Sequence, residues 1–277
     1  MAASLTFFTR RRIRNGAIVA LASAMLIAAA RLAETTLHDT RFVTGWILIV
    51  LIAGLALFDL RRRIPVLPLG DASTWEQVHI YAGWFTVAAF LTHTGFGLPD
   101  GPFEVALWLP FVAVAISGTV GIWLNRMLPR RMRDHGPREL YDRIAVRRAE
   151  IAAEAKILAV DSARDTGSIT IADYYQKELS AYFQGPRNAL SHLTGYHGHL
   201  HRQLQQIRSL HRYVDAGGRA ILDRLCELVE AKDDLDYQYA AQSAMRLWLF
   251  VHVPLAHGLL ILMVVHAVLA YAFRVGA

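Results

Sequence analysis

The sequence predicts an all-α integral membrane protein, a helical bundle with five transmembrane helices and a helical cytoplasmic insertion. The chain of 277 residues is 54% hydrophobic and only 19% charged. Its charges are clustered, which leaves long apolar segments that can cross a hydrocarbon core of about 30 Å. Tryptophans lie near the ends of several of these segments, as in the aromatic belts of membrane proteins.

Five segments are predicted to span the bilayer, because Asp, Glu, Lys and Arg occur in them only near the ends. They are 16–32, 43–60, 78–94, 105–124 and 247–273. The predicted domains are therefore 1–125 with spans one to four, 126–241 as the helical cytoplasmic domain, and 242–277 with the fifth span.

Basic residues orient the predicted spans. Arginine clusters precede the first span and follow the second and fourth. If all five segments span, these clusters lie on one side, which the positive-inside rule assigns to the cytoplasm. In a bacterial inner membrane, the N-terminus and the insertion are then cytoplasmic and the C-terminus is extracytoplasmic. Alternatively, the first segment is a cleavable signal peptide, which leaves this topology unchanged.

Composition excludes several functions. With Cys226 as the single cysteine, the chain cannot form an intramolecular disulfide or ligate an iron–sulfur cluster through cysteines. It has no Cys-x-x-Cys-His motif, which excludes covalent attachment of a c-type haem. The net charge of +6 is explained by the arginine clusters at span ends, so no nucleic-acid partner is indicated.

Four histidines in two predicted spans have the same spacing. His79 and His93 lie in the third span, and His252 and His266 lie in the fifth at an identical interval. On an α-helix this interval is ~4 turns, keeps both side chains within ~40° of one face and separates them by ~21 Å. Because the two spans run in the same direction, we expect His79 to pair with His252 and His93 to pair with His266.

Each histidine pair can supply both axial ligands of a haem iron. Two imidazoles fill the axial positions, so the iron cannot bind O₂ and only exchanges electrons. Ionisable residues inside a span are costly and usually functional. The structural alternative is that each histidine hydrogen-bonds a neighbouring helix. The matched spacing favours two b haems and an electron path across the membrane.

The four histidines resemble the haem-binding core of membrane dihaem b-type cytochromes. Their contexts are His-Ile-Tyr-Ala-Gly for His79, Leu-Thr-His-Thr-Gly for His93, Phe-Val-His-Val-Pro for His252 and Val-Val-His-Ala-Val for His266. This superfamily includes quinol-oxidising cytochrome b subunits and the transmembrane domain of ferric reductases. The resemblance implies a bis-histidine four-helix haem core, two haem b groups, a quinone as a further ligand, and an iron–sulfur or c-type redox partner. Unlike ferric reductases, the chain has no flavin and nicotinamide domain after its last span.

These features predict transmembrane electron transfer between a quinone pool and a partner redox protein, with this chain as the membrane subunit of an oxidoreductase complex. No catalytic residue is identified. One alternative is a self-standing reductase similar to ferric reductases. An alternative of another class is a membrane anchor or transport component whose histidines are structural.

Further residues are predicted around the haems. Gly83 and Gly118 would give a porphyrin clearance between helices, although glycine is also common where helices pack closely. Arg246 would pair with haem propionates on the cytoplasmic side. His257 points ~140° and ~180° away from the two ligand histidines of its span, so we expect it to pack or to hydrogen-bond. A quinone or proton-relay role is its alternative.

The insertion is predicted to be helical. Over 139–160, Ile144, Ile151, Ala155 and Leu158 recur near one helix face. Further helices are predicted at 171–183, 201–214 and 220–231, with breaks at Gly185-Pro186 and Gly217-Gly218. No phosphate-binding loop or dinucleotide fingerprint occurs, so we expect this domain to dock a partner or to cap a haem. The histidines at 197, 199 and 201 are interpreted as a solvated cluster rather than a metal site.

Overall fold

The computed structural model describes residues 2–35, 40–63, 71–132, 137–165, 169–196 and 198–274. Within these ranges the chain is helical and has no β-strand, which confirms the all-α class. The chain separates into two compact units. Unit 1 comprises Met1–Ile122 with Trp248–Ala277, and unit 2 comprises Trp123–Leu247.

Ten α-helices occur in the described ranges. They are α1 (Ala2–Thr35), α2 (Thr40–Arg63), α3 (Ala72–His93), α4 (Pro102–Met132), α5 (Tyr141–Asp165), α6 (Thr170–Tyr174), α7 (Ser180–Phe183), α8 (Ala189–Thr194), α9 (Gly198–Ser209) and α10 (Ala216–Arg274). A π-helical segment, Tyr175–Leu179, joins α6 to α7, and a 3-10 turn, Leu210–Tyr213, follows α9.

Four of the described helices are long and apolar enough to cross a membrane. The segments are Thr9–Thr35, Thr40–Phe58, Pro102–Pro129 and Ala216–Phe273. In the most apolar stretch of each, only 6% to 11% of the residues are buried within the protein. Large apolar side chains such as Leu21, Val50, Ile116 and Phe250 are consequently exposed. An apolar exterior of this kind suits a lipid environment.

Helix α3 is not among these four, although the sequence predicts it as the third of five spans. It has 22 residues, which gives a length of ~33 Å. It contains the polar residues Glu76 and Gln77 and the two histidines. It packs against α1 and α2. Its buried residues are Thr86, Ala89 and Thr92. The count of five spans therefore stays a prediction.

Unit 2 has its own hydrophobic core. On α5, the predicted apolar face is confirmed, because Ile144, Ile151 and Ala155 are buried and Leu158 packs against them. The other helices of the unit and the first part of α10 complete this core with Leu179, Ile207, Leu222, Leu225 and Val229. The insertion is thus helical and has an apolar interior, and its cytoplasmic location stays a prediction.

One of the two predicted breaks in unit 2 is confirmed and the other is wrong. The chain leaves the helix at Gly185-Pro186, between the end of α7 and the start of α8. Gly217-Gly218 lies inside the first turn of α10 instead. There, Oδ1 of Asp215 accepts a hydrogen bond of 2.8 Å from the N–H of Gly218. A carboxylate before the first turn satisfies the free N–H groups of a helix start, so α10 includes both glycines.

A buried ion-pair cluster joins three segments of unit 2. Lys232 has no exposed side-chain surface, and its Nζ pairs with Asp236 and lies 4.0 Å from the centre of the Tyr182 ring. Asp236 also accepts hydrogen bonds from the Arg148 guanidinium at 3.2 Å and from the backbone N–H of Arg187 at 3.1 Å. Burial raises the pKa of Tyr182 far above its usual range, so this ring is neutral beside the ammonium group.

Asp236→Ala is expected to lower the free energy of unfolding by about 3–5 kcal/mol, because Lys232 would stay buried without its carboxylate. Asp173→Ala is the matched control. Asp173 and Lys177 form a pair of the same spacing at 2.8 Å with both side chains exposed, so its loss should cost less than about 1 kcal/mol. Urea unfolding of the full chain in detergent, followed by circular dichroism, measures both. Equal effects would contradict the burial argument.

Candidate cofactor site

The structure brings His93 of α3 and His266 of α10 together in unit 1. Their ring centres are 6.3 Å apart and their planes are inclined by 85°. Two imidazoles that bind one metal from opposite sides have ring centres about 6 Å apart, because each metal–nitrogen bond is about 2 Å long. Ordinary edge-to-face contacts also have this distance. The pair therefore fits axial ligation of a haem without requiring it.

Helix α2 orients the His93 ring. The Thr44 hydroxyl oxygen lies 3.1 Å from Nδ1 of His93, and the same hydroxyl donates to the backbone carbonyl of Thr40 at 2.8 Å. With its one hydrogen engaged there, the hydroxyl oxygen can accept from Nδ1–H, an arrangement that would leave Nε2 as the nitrogen able to ligate a metal. A side chain at Gly45 would bring its Cβ to 3.2 Å from the ring, so glycine permits this close approach.

Helix α4 orients the His252 ring in the corresponding way. The Ser117 hydroxyl lies 3.1 Å from Nδ1 of His252, and the Trp248 ring stacks on the imidazole with centres 5.3 Å apart. The indole N–H of Trp248 donates to the Ser117 carbonyl at 2.8 Å. A Cβ at Gly118 would lie 3.7 Å from the His252 ring. Gly118 thus lies beside a predicted ligand.

His79 has a buried Nδ1 for which the structure gives no partner in hydrogen-bonding geometry. Its ring lies 4.8 Å from that of Phe58, interacts electrostatically with His252 and is within reach of a hydrogen bond with the backbone of Leu55. A buried nitrogen without a well-formed hydrogen bond is unusual in a native protein and calls for a ligand, an ion or a water molecule. A ring that ligates iron through Nε2 would still need a partner for Nδ1, so this nitrogen does not distinguish a haem ligand from a structural histidine.

The two other predicted haem residues are placed differently. An added Cβ at Gly83 would meet no atom within 4 Å, so there is open space at this position of α3. Arg246 lies in unit 2, where its guanidinium stacks 3.7 Å from the centre of the Tyr141 ring and lies 3.8 Å from Asp142. The clearance roles of Gly83 and Gly118 and the propionate role of Arg246 stay predictions.

His257 is exposed, and its Nδ1 donates to the backbone carbonyl of Val253 at 2.8 Å. This bond lies within its own helix, and α10 continues through Pro254. The expectation that His257 hydrogen-bonds is confirmed.

Among the described residues, no group of three or more His, Cys, Asp and Glu side chains is arranged to hold a metal ion. His199 and His201 lie in α9, and His197 lies outside the described residues. A haem site differs from such a group, because the porphyrin supplies four nitrogens and the protein needs to add only two.

Sequence reasoning missed four residues that contact the histidines: Thr44, Phe58, Phe103 and Ser117. Phe103 stacks on the His266 ring with centres 5.8 Å apart. A signal for these residues is present in the sequence. The interval from Thr44 to Phe58 on α2 and that from Phe103 to Ser117 on α4 both equal the interval between the histidines.

No family model, curated protein or solved structure matches this chain.

Gly121→Ala is expected to destabilise unit 1 by about 1–3 kcal/mol, because the added methyl group overlaps a packed side chain. The group it overlaps is the Trp248 indole, which must move and lose its bond to Ser117. Gly54→Ala is the matched control, since its Cβ would meet no atom within 4 Å and alanine favours a helix. Thermal unfolding in detergent, followed by tryptophan fluorescence, compares them. A Gly121→Ala protein as stable as the control would contradict the close packing of the Trp248 indole against Gly121.

Proposed function

We propose that this chain carries electrons across a membrane through two b haems, one held by His79 and His252 and the other by His93 and His266. The observation that carries the proposal is the His93–His266 pair, whose ring centres are 6.3 Å apart while Thr44 engages Nδ1 of His93. A haem with two imidazole ligands supplies one-electron exchange and leaves no position for O₂.

The chain's own residues would hold the two groups at fixed levels. The equal histidine intervals of α3 and α10 put these levels ~21 Å apart along the helix axis. Apolar helices around the site exclude water, and hydroxyl groups on α2 and α4 fix two of the four rings. The alternative that the histidines are structural explains the hydroxyl bonds equally well, but it gives no reason for the equal intervals between the histidines of α3 and α10.

The proposal includes five spans, with α3 as the third. Its length of ~33 Å and its packing against α1 and α2 support this. Under the positive-inside rule, the arginines at 10–14, 61–63 and 126–133 then assign the N-terminus and unit 2 to the cytoplasm of a bacterial cell and the C-terminus to the opposite side.

The proposed redox partners are a quinone pool and an iron–sulfur or c-type protein, in a complex of which this chain is the membrane subunit. This part of the proposal rests on the resemblance of the four histidines to those of membrane dihaem b-type cytochromes.

The purified protein is expected to contain two low-spin b haems per chain, measured by the pyridine haemochrome assay. His93→Leu and His266→Leu should each remove the same haem, because each haem needs both of its ligands. His79→Leu and His252→Leu should each remove the other. Reduced-minus-oxidised spectra at low temperature distinguish the two.

His257→Leu is the matched control, because it makes the same substitution in the same helix at a ring that bonds its own backbone. It should keep both haems. A haem content near zero in the unsubstituted protein would contradict the proposal and favour structural histidines. Loss of the same haem in His79→Leu and His266→Leu would contradict the pairing.

Accessibility of two exposed leucine positions tests the topology. In a Cys226→Ala background, Leu98→Cys and Leu190→Cys place single thiols at sites whose leucines are 77% and 80% exposed. Five spans put Leu98 outside the cytoplasmic membrane and Leu190 inside. A membrane-impermeant maleimide added to spheroplasts should therefore label only Leu98→Cys, and both variants after lysis. The reverse pattern would contradict this topology, because it requires either that α3 does not span or that the bundle is inserted in the opposite orientation.

A further inference from the structure

Helices α2 and α4 carry a second set of paired residues that matches the histidines. On α2, Thr44 contacts His93 and Phe58 contacts His79. On α4, Phe103 contacts His266 and Ser117 contacts His252. In both helices the two contacting residues are separated by the interval that separates the histidines. Both histidines of α3 are therefore contacted by α2, and both predicted ligand histidines of α10 are contacted by α4, with one contact at each level.

Each level has one hydroxyl contact and one phenyl contact, but the helix that supplies each of them differs between the two levels. At the level of His93 and His266, α2 supplies a hydroxyl and α4 supplies a phenyl ring. At the level of His79 and His252, α4 supplies the hydroxyl through Ser117, and α2 supplies the phenyl ring. Each histidine pair consequently has one ring anchored by a hydrogen bond and one ring packed against a phenylalanine.

The hydroxyl partner changes the electronic character of its imidazole. When Nδ1–H donates to an acceptor, the ring becomes a stronger electron donor through its other nitrogen. A stronger donor stabilises the more highly charged, ferric state of an iron ligated there. A phenyl ring offers no comparable acceptor and fixes only the orientation of the imidazole.

We propose that Thr44 and Ser117 are positioning residues that tune the reduction potentials of the two haems, each acting on one haem through its own histidine. This inference rests on the proposed function. Thr44 is suited to the role because it is only 4% exposed and its hydrogen is engaged by the Thr40 carbonyl. Its oxygen is thereby held as an acceptor toward His93.

Thr44→Val removes the hydroxyl and keeps the shape of the side chain. At a fixed ambient potential, the ferrous-to-ferric ratio of the His93–His266 haem should rise about three- to tenfold, a shift of about 30–60 mV for one electron. Ser117→Ala should shift the His79–His252 haem in the same direction and leave the other unchanged. Spectroelectrochemical titration measures both potentials, and the histidine-to-leucine variants assign each spectrum to its haem.

Two controls separate the hydroxyl from packing. Thr44→Ser keeps the hydroxyl and should retain the unsubstituted potential. Thr86→Val removes a buried hydroxyl that bonds its own helix, at the Ala82 carbonyl, and should shift neither haem. If Thr44→Val instead loses its haem, retention of that haem in Thr44→Ser supports the inference, and loss in both variants overturns it.

Two further outcomes would overturn the inference and are distinguishable from each other. If both haems remain and neither Thr44→Val nor Ser117→Ala shifts a potential, the tuning role is wrong while the proposed function stands. If the unsubstituted protein binds no haem, the proposed function and the tuning role are both wrong.

Discussion

The arrangement of unit 1 depends on how imidazoles are accommodated among apolar helices. A polar group in a hydrocarbon environment has no water to bond, so the surrounding helices must satisfy it. Each of His93 and His252 meets a hydroxyl on the neighbouring helix at 3.1 Å. Gly45 leaves room for the His93 ring, because an added Cβ would lie only 3.2 Å from it. The positions of α2 and α4 are thereby linked to the histidines of α3 and α10.

Unit 2 accommodates buried charge by a different physical route. Asp236 receives an ammonium group, a guanidinium group and a backbone N–H from three segments. A carboxylate taken out of water is tolerated when its oxygens are fully hydrogen-bonded and its charge is balanced. In unit 1, the partners of the four histidines are hydroxyl groups and phenyl rings. The core of unit 2, in contrast, contains an ion pair. Lys232 and His252 both lie on α10, but Lys232 pairs with a carboxylate, whereas His252 contacts a hydroxyl group.

Much of the fold could be predicted from the sequence, since apolar periodicity and length determine it. The buried face of α5 and the all-helical class follow from periodicity alone. The start of α10 could not be predicted from Gly217-Gly218, because a side chain outside the helix, Asp215, supplies the missing acceptor. For the site, the spacing of histidines predicted that His93 and His266 are neighbours. The hydroxyls of Thr44 and Ser117 were not predicted, because threonine and serine are common in membrane helices and bond their own backbone as readily as a partner.

The interval shared by the histidines and their contacts has a geometric consequence for the whole bundle. It equals two heptads, and a straight α-helix drifts ~20° per heptad from a seam of constant direction. If the two helices were straight and parallel, one pair of histidines could point toward each other, and the second pair would be rotated away from each other by this drift. Both levels can face inward when the helices wind around one another with a left-handed supercoil, crossing at about 20°. A haem-sized ligand at one level would then constrain the winding that the other level requires.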